Sequence, residues 1–148
     1  MNTDKISNLA KTLQATFSPD KVKVEHLINE DVQSVHLMPS HPGKDKYAEL
    51  LISFVNDYNV TVSIGNGNSF DFEIDEDNEW SQEDINFLVS CARACVDGNV
   101  HEDITKRKGR LNRSKLIILI NNKKQTYKYQ NGLIFLPGSK KHISYSPY

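Results

Sequence analysis

Residues 70–98, FDFEIDEDNEWSQEDINFLVSCARACVDG, change the spacing of their apolar residues part-way along, and this change decides the fold class. From Phe70 to Asp75 apolar and acidic residues alternate, which is the side-chain period of a β-strand. From Ile85 onward the apolar residues recur every three or four positions, as on one face of a helix. A strand that leads into a helix predicts an α+β protein.

The ends of this helix are marked by residues that favour helix termini. Ser81 is the predicted N-cap, and Asp84 approximates the acidic partner of a capping box. Gly98 can adopt the left-handed conformation that ends a helix. Cys91 and Cys95 lie beside the apolar stripe, where we interpret them as small buried hydrophobic residues that do not bridge each other.

The segments before this stretch contain a helix and several strands. Residues 3–17 show helical spacing, and residues 21–28 and 32–38 resemble a hairpin. Residues 47–58 fit either a helix or a strand; we favour a strand, a turn and a second strand through residues 60–64.

The segments after it end in further strands. Residues 101–115, HEDITKRKGRLNRSK, are polar and are predicted to be a loop or a frayed extension of the helix, whereas KLIILI resembles a buried strand. A terminal meander is expected at residues 125–129, 133–137 and 142–146, with turns that include Asn-Asn-Lys-Lys at residues 121–124 and the Asn131-Gly132 pair. We therefore predict one domain over residues 1–148, with a twisted, mainly antiparallel sheet and two helices packed on one side.

The net charge of −1 hides a strong asymmetry along the chain. Residues 1–103 contain all 19 acidic residues and seven Lys or Arg, whereas residues 104–148 contain eleven Lys or Arg and no acid. Such an asymmetry indicates a charged partner, or else two solvated surfaces that attract each other.

The sequence contains little that predicts catalysis. The GxSxG, Walker, HExxH and paired CxxC motifs are absent, and the acidic run lacks the spacing of a calcium loop. His101, Glu102 and Asp103 place an imidazole beside carboxylates, but neighbouring side chains point apart, so we interpret them as a solvated helix end. A non-enzyme without metal or cofactor is expected.

The acidic segment is the predicted contact for a protein partner. Its alternation puts carboxylates on one strand face, which suits the binding of a basic surface such as a nuclease active site. Trp80 is either an anchor for that partner or packs against Ile85 or a neighbour. The predicted partner-binding residues are Asp71, Glu73, Asp75, Asp77, Glu79 and Trp80.

Nucleic-acid binding is the alternative function. Residues 106–115 carry six Lys or Arg, and tyrosines follow, so phosphate neutralisation and base stacking would act together. The sequence pI near 6.5 is low for such a domain. The candidate residues are Lys106, Arg107, Lys108, Arg110, Arg113, Tyr127 and Tyr129.

The small, motif-poor chain, with FDFEIDEDNEW leading into SQEDINFLVSCARACVDGNV, resembles the immunity proteins that bacteria pair with polymorphic or contact-dependent growth inhibition toxins. The resemblance implies a protein that neutralises a cognate toxin by occluding its active site. With no signal-like N-terminus and no apolar run of membrane-spanning length, a cytoplasmic protein that does not bind membranes is expected.

Overall fold

The computed structural model describes residues 3–54, 59–65, 68–73, 80–130 and 138–148. Within them are two helices and nine strands, all paired antiparallel, so the predicted α+β class is confirmed. The elements are α1 (Thr3–Thr16), β1 (Val22–Ile28), β2 (Gln33–Pro39), β3 (Leu50–Phe54), β4 (Asn59–Ile64), β5 (Asn68–Glu73), α2 (Gln82–Val96), β6 (Val100–Arg107), β7 (Arg110–Ile120), β8 (Lys123–Gln130) and β9 (Ser139–Ser144).

The strands lie in two sheets, a division that the sequence alone did not predict. The first sheet is a simple meander in the order β1-β2-β3-β4-β5, and the second has the order β8-β7-β6-β9. The strand interpretation of residues 47–58 is confirmed over Leu50–Phe54, where alternate residues are buried. Residues 55–58 lie outside the described part of the chain.

The two helices cover the apolar faces of the sheets. Helix α1 packs on β1 and β2, and α2 contacts β7 of the second sheet and β3 of the first. The predicted capping box of α2 is present, since the Asp84 N–H donates to Ser81 Oγ at 3.1 Å and the Ser81 N–H donates to Asp84 Oδ2 at 3.0 Å. Gly98 has the predicted positive φ, 71°. Buried side chains from both sheets and both helices form one apolar core.

The prediction of a loop or frayed helix over residues 101–115 is wrong. These residues belong to β6 and β7, which pair through a two-residue turn at Lys108 and Gly109, where both φ angles are positive, 51° and 75°. The strand pattern was hidden because several inward positions carry polar residues. Glu102, Asn112 and Ser114 are buried although none of them is apolar.

The terminal strands follow the predicted meander in part. Asn121 and Asn122 have φ of 50° and 61° and form the predicted tight turn between β7 and β8. Strand β9 pairs with β6, so residues 142–144 are in a strand as expected. The predicted turn at Asn131-Gly132 and the predicted strand at residues 133–137 lie outside the described residues.

A buried carboxylate connects the second sheet to the end of β4. The Tyr145 hydroxyl donates a short hydrogen bond to Glu102 Oε1, and Glu102 is fully buried. Gly65 covers this pair: its φ is +70°, and a Cβ at this position would overlap the carboxylate of Glu102 and the hydroxyl of Tyr145. The close approach therefore requires glycine.

The last residue of the chain is held between α2 and the segment before β3. The Tyr148 N–H donates to the Val96 carbonyl at 2.9 Å, and its hydroxyl donates to the Ala48 carbonyl at 2.6 Å. Burial raises the pKa of Tyr148 well above its usual value, so the hydroxyl stays a donor at physiological pH. Gly98 leaves room for the backbone of Pro147 to pass close to the end of α2.

We expect the Tyr145→Phe substitution to lower the free energy of unfolding by about 1–3 kcal/mol. The substitution removes the hydroxyl that donates a hydrogen bond to the buried carboxylate of Glu102. Urea unfolding followed by circular dichroism measures the change. Tyr129→Phe is the matched control, since Tyr129 is 42% exposed, and it should change stability by less than about 0.5 kcal/mol. Equal stabilities of the two variants would show that the buried hydrogen bond contributes nothing.

The two cysteines should be chemically inert in the native protein. Both are free and buried; burial raises the pKa of Cys91 to about 12, and burial together with the neighbouring Cys91 raises the pKa of Cys95. Because the thiolate is the reactive form, 5,5′-dithiobis(2-nitrobenzoic acid) at pH 8 should react with neither thiol before unfolding and with both in denaturant. Rapid reaction of the native protein would contradict this burial.

Candidate functional site

The outer surface of the second sheet carries a groove of about 560 Å³ that all four of its strands line. Most of its lining side chains are basic. We call it the basic groove; its charged and aromatic lining residues are Asp103, Arg113, Lys115, Lys128, Tyr129, Lys140, Lys141 and His142.

Strand register brings these residues together from four distant segments. Lys128, Lys115, Asp103 and His142 are paired in turn across β8, β7, β6 and β9, so they form one row. Neighbouring strands lie about 4.7–4.9 Å apart, so successive charges in this row are close neighbours.

A second row lies two residues further along the strands. Arg113, Thr105 and Lys140 are paired across β7, β6 and β9. Arg113 Nε donates to Thr105 Oγ1 at 3.3 Å, which helps to hold the guanidinium at the groove wall. The register shifts between Thr105 and Lys106, and such a bulge bends a strand locally.

A chain of polar contacts orients His142 in the groove. Its Nδ1 lies 2.5 Å from Asp103 Oδ1, and its Nε2 lies 3.2 Å from Ser144 Oγ. Ser144 Oγ also lies 3.1 Å from His101 Nδ1, and the two imidazole rings stack with centroids 5.9 Å apart. The interpretation of His101, Glu102 and Asp103 as a helix end is therefore wrong: in β6, His101 and Asp103 share the outer face and Glu102 points into the core.

The order Asp103, His142, Ser144 matches the connectivity of a catalytic triad, but its environment does not. The side chains of Asp103 and His142 are 50% and 59% exposed. In a triad the Asp is buried, so that its charge acts on the imidazole in a low dielectric. At a solvated surface the same contact is weak and mainly fixes the orientation of the ring.

The basic side chains of the groove carry more charge than the described residues around them neutralise. Lys115, Lys128 and Lys140 form no ion pair with any described residue. Lys141 is paired with the buried Ile104 and therefore lies on the opposite face from Lys140 and His142; the neighbouring Lys46 ammonium lowers its pKa.

The candidate nucleic-acid residues do not form one surface. Arg113 and Tyr129 line the basic groove, but Tyr129 is paired with the buried Ser114, so its ring lies on the opposite face of the sheet from Arg113. Lys106 lines a separate cavity of about 490 Å³ near the β6–β7 turn, where Arg107, Lys108 and Arg110 also lie. Tyr127 is half-buried against the core, and its hydroxyl donates to Gln125 at 2.9 Å.

The structure describes part of the predicted acidic surface. Asp71 and Glu73 are in β5, an edge strand of the first sheet that lies beside β7 and β8. Their Cα atoms are paired with those of Thr61 and Asn59. Asp75, Asp77 and Glu79 lie outside the described residues. Partner binding by these five acids stays a prediction.

Trp80 packs as the alternative interpretation expected. Its ring stacks on Phe54 of β3 with centroids 5.2 Å apart, and it lies against the apolar core. Together with Ile85 and residues of α1 it lines a cavity of about 170 Å³. Contact between Trp80 and a partner stays a prediction.

The residues whose side chains make the groove were not predicted from the sequence; they are Lys115, Lys128, Lys140 and His142, with Asp103 among them. Within their strands, Arg113 and Lys115, and Lys140 and His142, are two positions apart, which is the spacing of one strand face. Recognising residues 101–115 as strands would have put the first pair on a sheet surface, but the pairing of β6 with β9 depends on the tertiary structure.

Neither helix of the described chain is long and apolar enough to cross a membrane. Across the described ranges, no group of three or more His, Cys, Asp or Glu residues is placed to hold a metal ion. Comparisons of the chain with protein-family models, curated proteins and solved structures gave no match.

We expect the Trp80→Ala substitution to lower the free energy of unfolding by roughly 2–4 kcal/mol, because it removes an aromatic ring packed on the core. Trp80 is the single tryptophan, so the variant has no tryptophan fluorescence to report on unfolding. Circular dichroism is therefore the measurement for both variants. Leu27→Ala is the control at a 42% exposed side chain and should cost less than about 0.5 kcal/mol. A negligible loss for Trp80→Ala would instead favour the side chain as a partner anchor.

Proposed function

We propose that this chain is a non-catalytic protein-binding inhibitor that acts as an immunity protein, neutralising a cognate bacterial toxin domain by covering its active site. The row Lys128, Lys115, Asp103 and His142 is the observation that supports a binding role most directly. It presents ordered charges of both signs on a rigid sheet surface.

A charged sheet surface suits this kind of partner for physical reasons. Complementary charge steers association and selects against wrong partners. Side chains that are already oriented, such as His142 between Asp103 and Ser144, lose little conformational entropy when a partner binds. Inhibition by occlusion needs surface complementarity and no chemical step.

The acidic segment is a second possible contact for the same partner. If the toxin is a nuclease, its phosphate-binding site is basic and complements the carboxylates of Asp71, Glu73, Asp75, Asp77 and Glu79. Strand β5 lies beside β7 and β8, so the acidic segment begins close to the sheet that carries the basic groove. One partner of mixed charge can therefore contact both surfaces.

Nucleic-acid binding is the second candidate function, and one observation favours it. The groove places Arg113 and several lysines on one face of the sheet, where they can neutralise the phosphates of a nucleic acid. Asp103 lies in the middle of the basic row and would repel a phosphate chain that crossed it. For this reason we place nucleic acid second.

The proposed function predicts that this chain captures one protein and protects cells against it. The immobilised chain is incubated with nuclease-treated lysate of the source organism near 0.15 M salt, and bound protein is eluted at 1 M salt, where the Debye length falls to about 3 Å. The captured protein is identified, and its domains are expressed in a host with and without this chain.

We expect one captured domain to stop growth alone and growth to return when this chain is co-expressed. Co-expression of the chain after removal of α1, which supplies part of the core, is the control and should not protect. Capture of no protein, or of a protein whose domains are harmless with and without the chain, would contradict the proposed function.

A further inference from the structure

We propose that the basic groove binds an acidic segment of the partner polypeptide, with Lys115, Lys128 and Lys140 pairing with its carboxylates. This inference rests on the proposed function, because it takes the partner to be a protein. The groove would bind acidic residues of the partner. The acidic segment of this chain is instead predicted to contact a basic surface of the partner.

The groove has an excess of positive charge over the length of several residues. Its lysines lie on three strands, β7, β8 and β9, and three of them have no ion-pair partner among the described residues. An anionic ligand that spans the groove can therefore meet several ammonium groups at once, and such multiple contacts raise affinity more than an isolated surface pair does.

The pattern of charge favours a polypeptide over a nucleic acid. Asp103 is paired with Lys115 on one side and His142 on the other, so the basic row is interrupted by a carboxylate. Every nucleotide carries a phosphate, and a strand crossing this row would put one near Asp103. A polypeptide can place a neutral or basic residue there and acidic residues on either side.

Three fluorescein-labelled probes test this inference directly. They are an octapeptide of alternating Glu and Ser, an octapeptide of alternating Lys and Ser, and an oligothymidylate of eight nucleotides. Fluorescence anisotropy at 0.05 M and 0.15 M salt measures the binding of each probe to the full chain. We expect the acidic peptide to bind most tightly, with an affinity that falls as salt rises.

Paired charge reversals show whether the groove is the site. Lys115→Glu together with Lys128→Glu should weaken binding of the acidic peptide by about tenfold. Lys11→Glu together with Lys21→Glu, at two exposed lysines outside the groove, makes the same change in net charge and should stay within about twofold of the wild type. Thermal unfolding checks that both variants fold; if the groove variant does not, Lys115→Gln with Lys128→Gln replaces it, with about a threefold loss expected.

Three results of the probe experiment would overturn the inference. Tighter binding of the oligothymidylate would assign the groove to nucleic acid. Equal losses in the groove variant and the control variant would show a nonspecific effect of net charge. No measurable binding of the acidic peptide at 0.05 M salt would remove the groove as a site for acidic segments.

Growth protection separates this inference from the proposed function. If the variant with Lys115→Glu and Lys128→Glu protects cells as well as the wild type, the groove is not the contact and the inference fails, while the proposed function stands. If the wild type does not protect but binds the acidic peptide through the groove, the proposed function fails and the acidic-ligand site stands.

Discussion

The buried hydrogen bond between Tyr145 and Glu102 is the constraint on which the arrangement of the second sheet depends. A buried carboxylate without a partner is costly, so β6 must meet the segment after β9 in the register that brings the hydroxyl to Glu102. Gly65 closes the contact from the first sheet because a side chain there would overlap the carboxylate. Three segments far apart in the sequence thus meet at one point.

The same register determines the outer surface. Because side chains alternate along a strand, turning Glu102 inward turns His101 and Asp103 outward. A slip of one residue would exchange the two faces and put charged groups into the core. The register that buries Glu102 on the inner face therefore also places the residues of the basic groove on the outer face. The row from Lys128 to His142 forms only in this register.

The fold brings parts of the acidic and basic regions of the sequence close together in space. The acidic strand β5 lies beside β7 and β8 of the basic second sheet, so chain segments of opposite charge come together in space. Mutual attraction of the two charged regions stays a prediction. Within the described residues, the groove is the clearest local excess of positive charge.

In residues 47–58 a strand was favoured although the spacing also fitted a helix. Apolar spacing and capping residues were enough to determine α1, the β1–β2 hairpin and α2 from Ser81 to Gly98. These elements depend on neighbouring residues, and their apolar faces are continuous. Residues 101–115 escaped prediction because Glu102, Asn112 and Ser114 occupy inward positions, where polar residues are stabilised by distant contacts that no local pattern shows. Only the tertiary structure decided that β6 pairs with β9, that Asp103 meets His142, and that the basic residues of four segments share one groove, because cross-strand register depends on burial across the whole sheet.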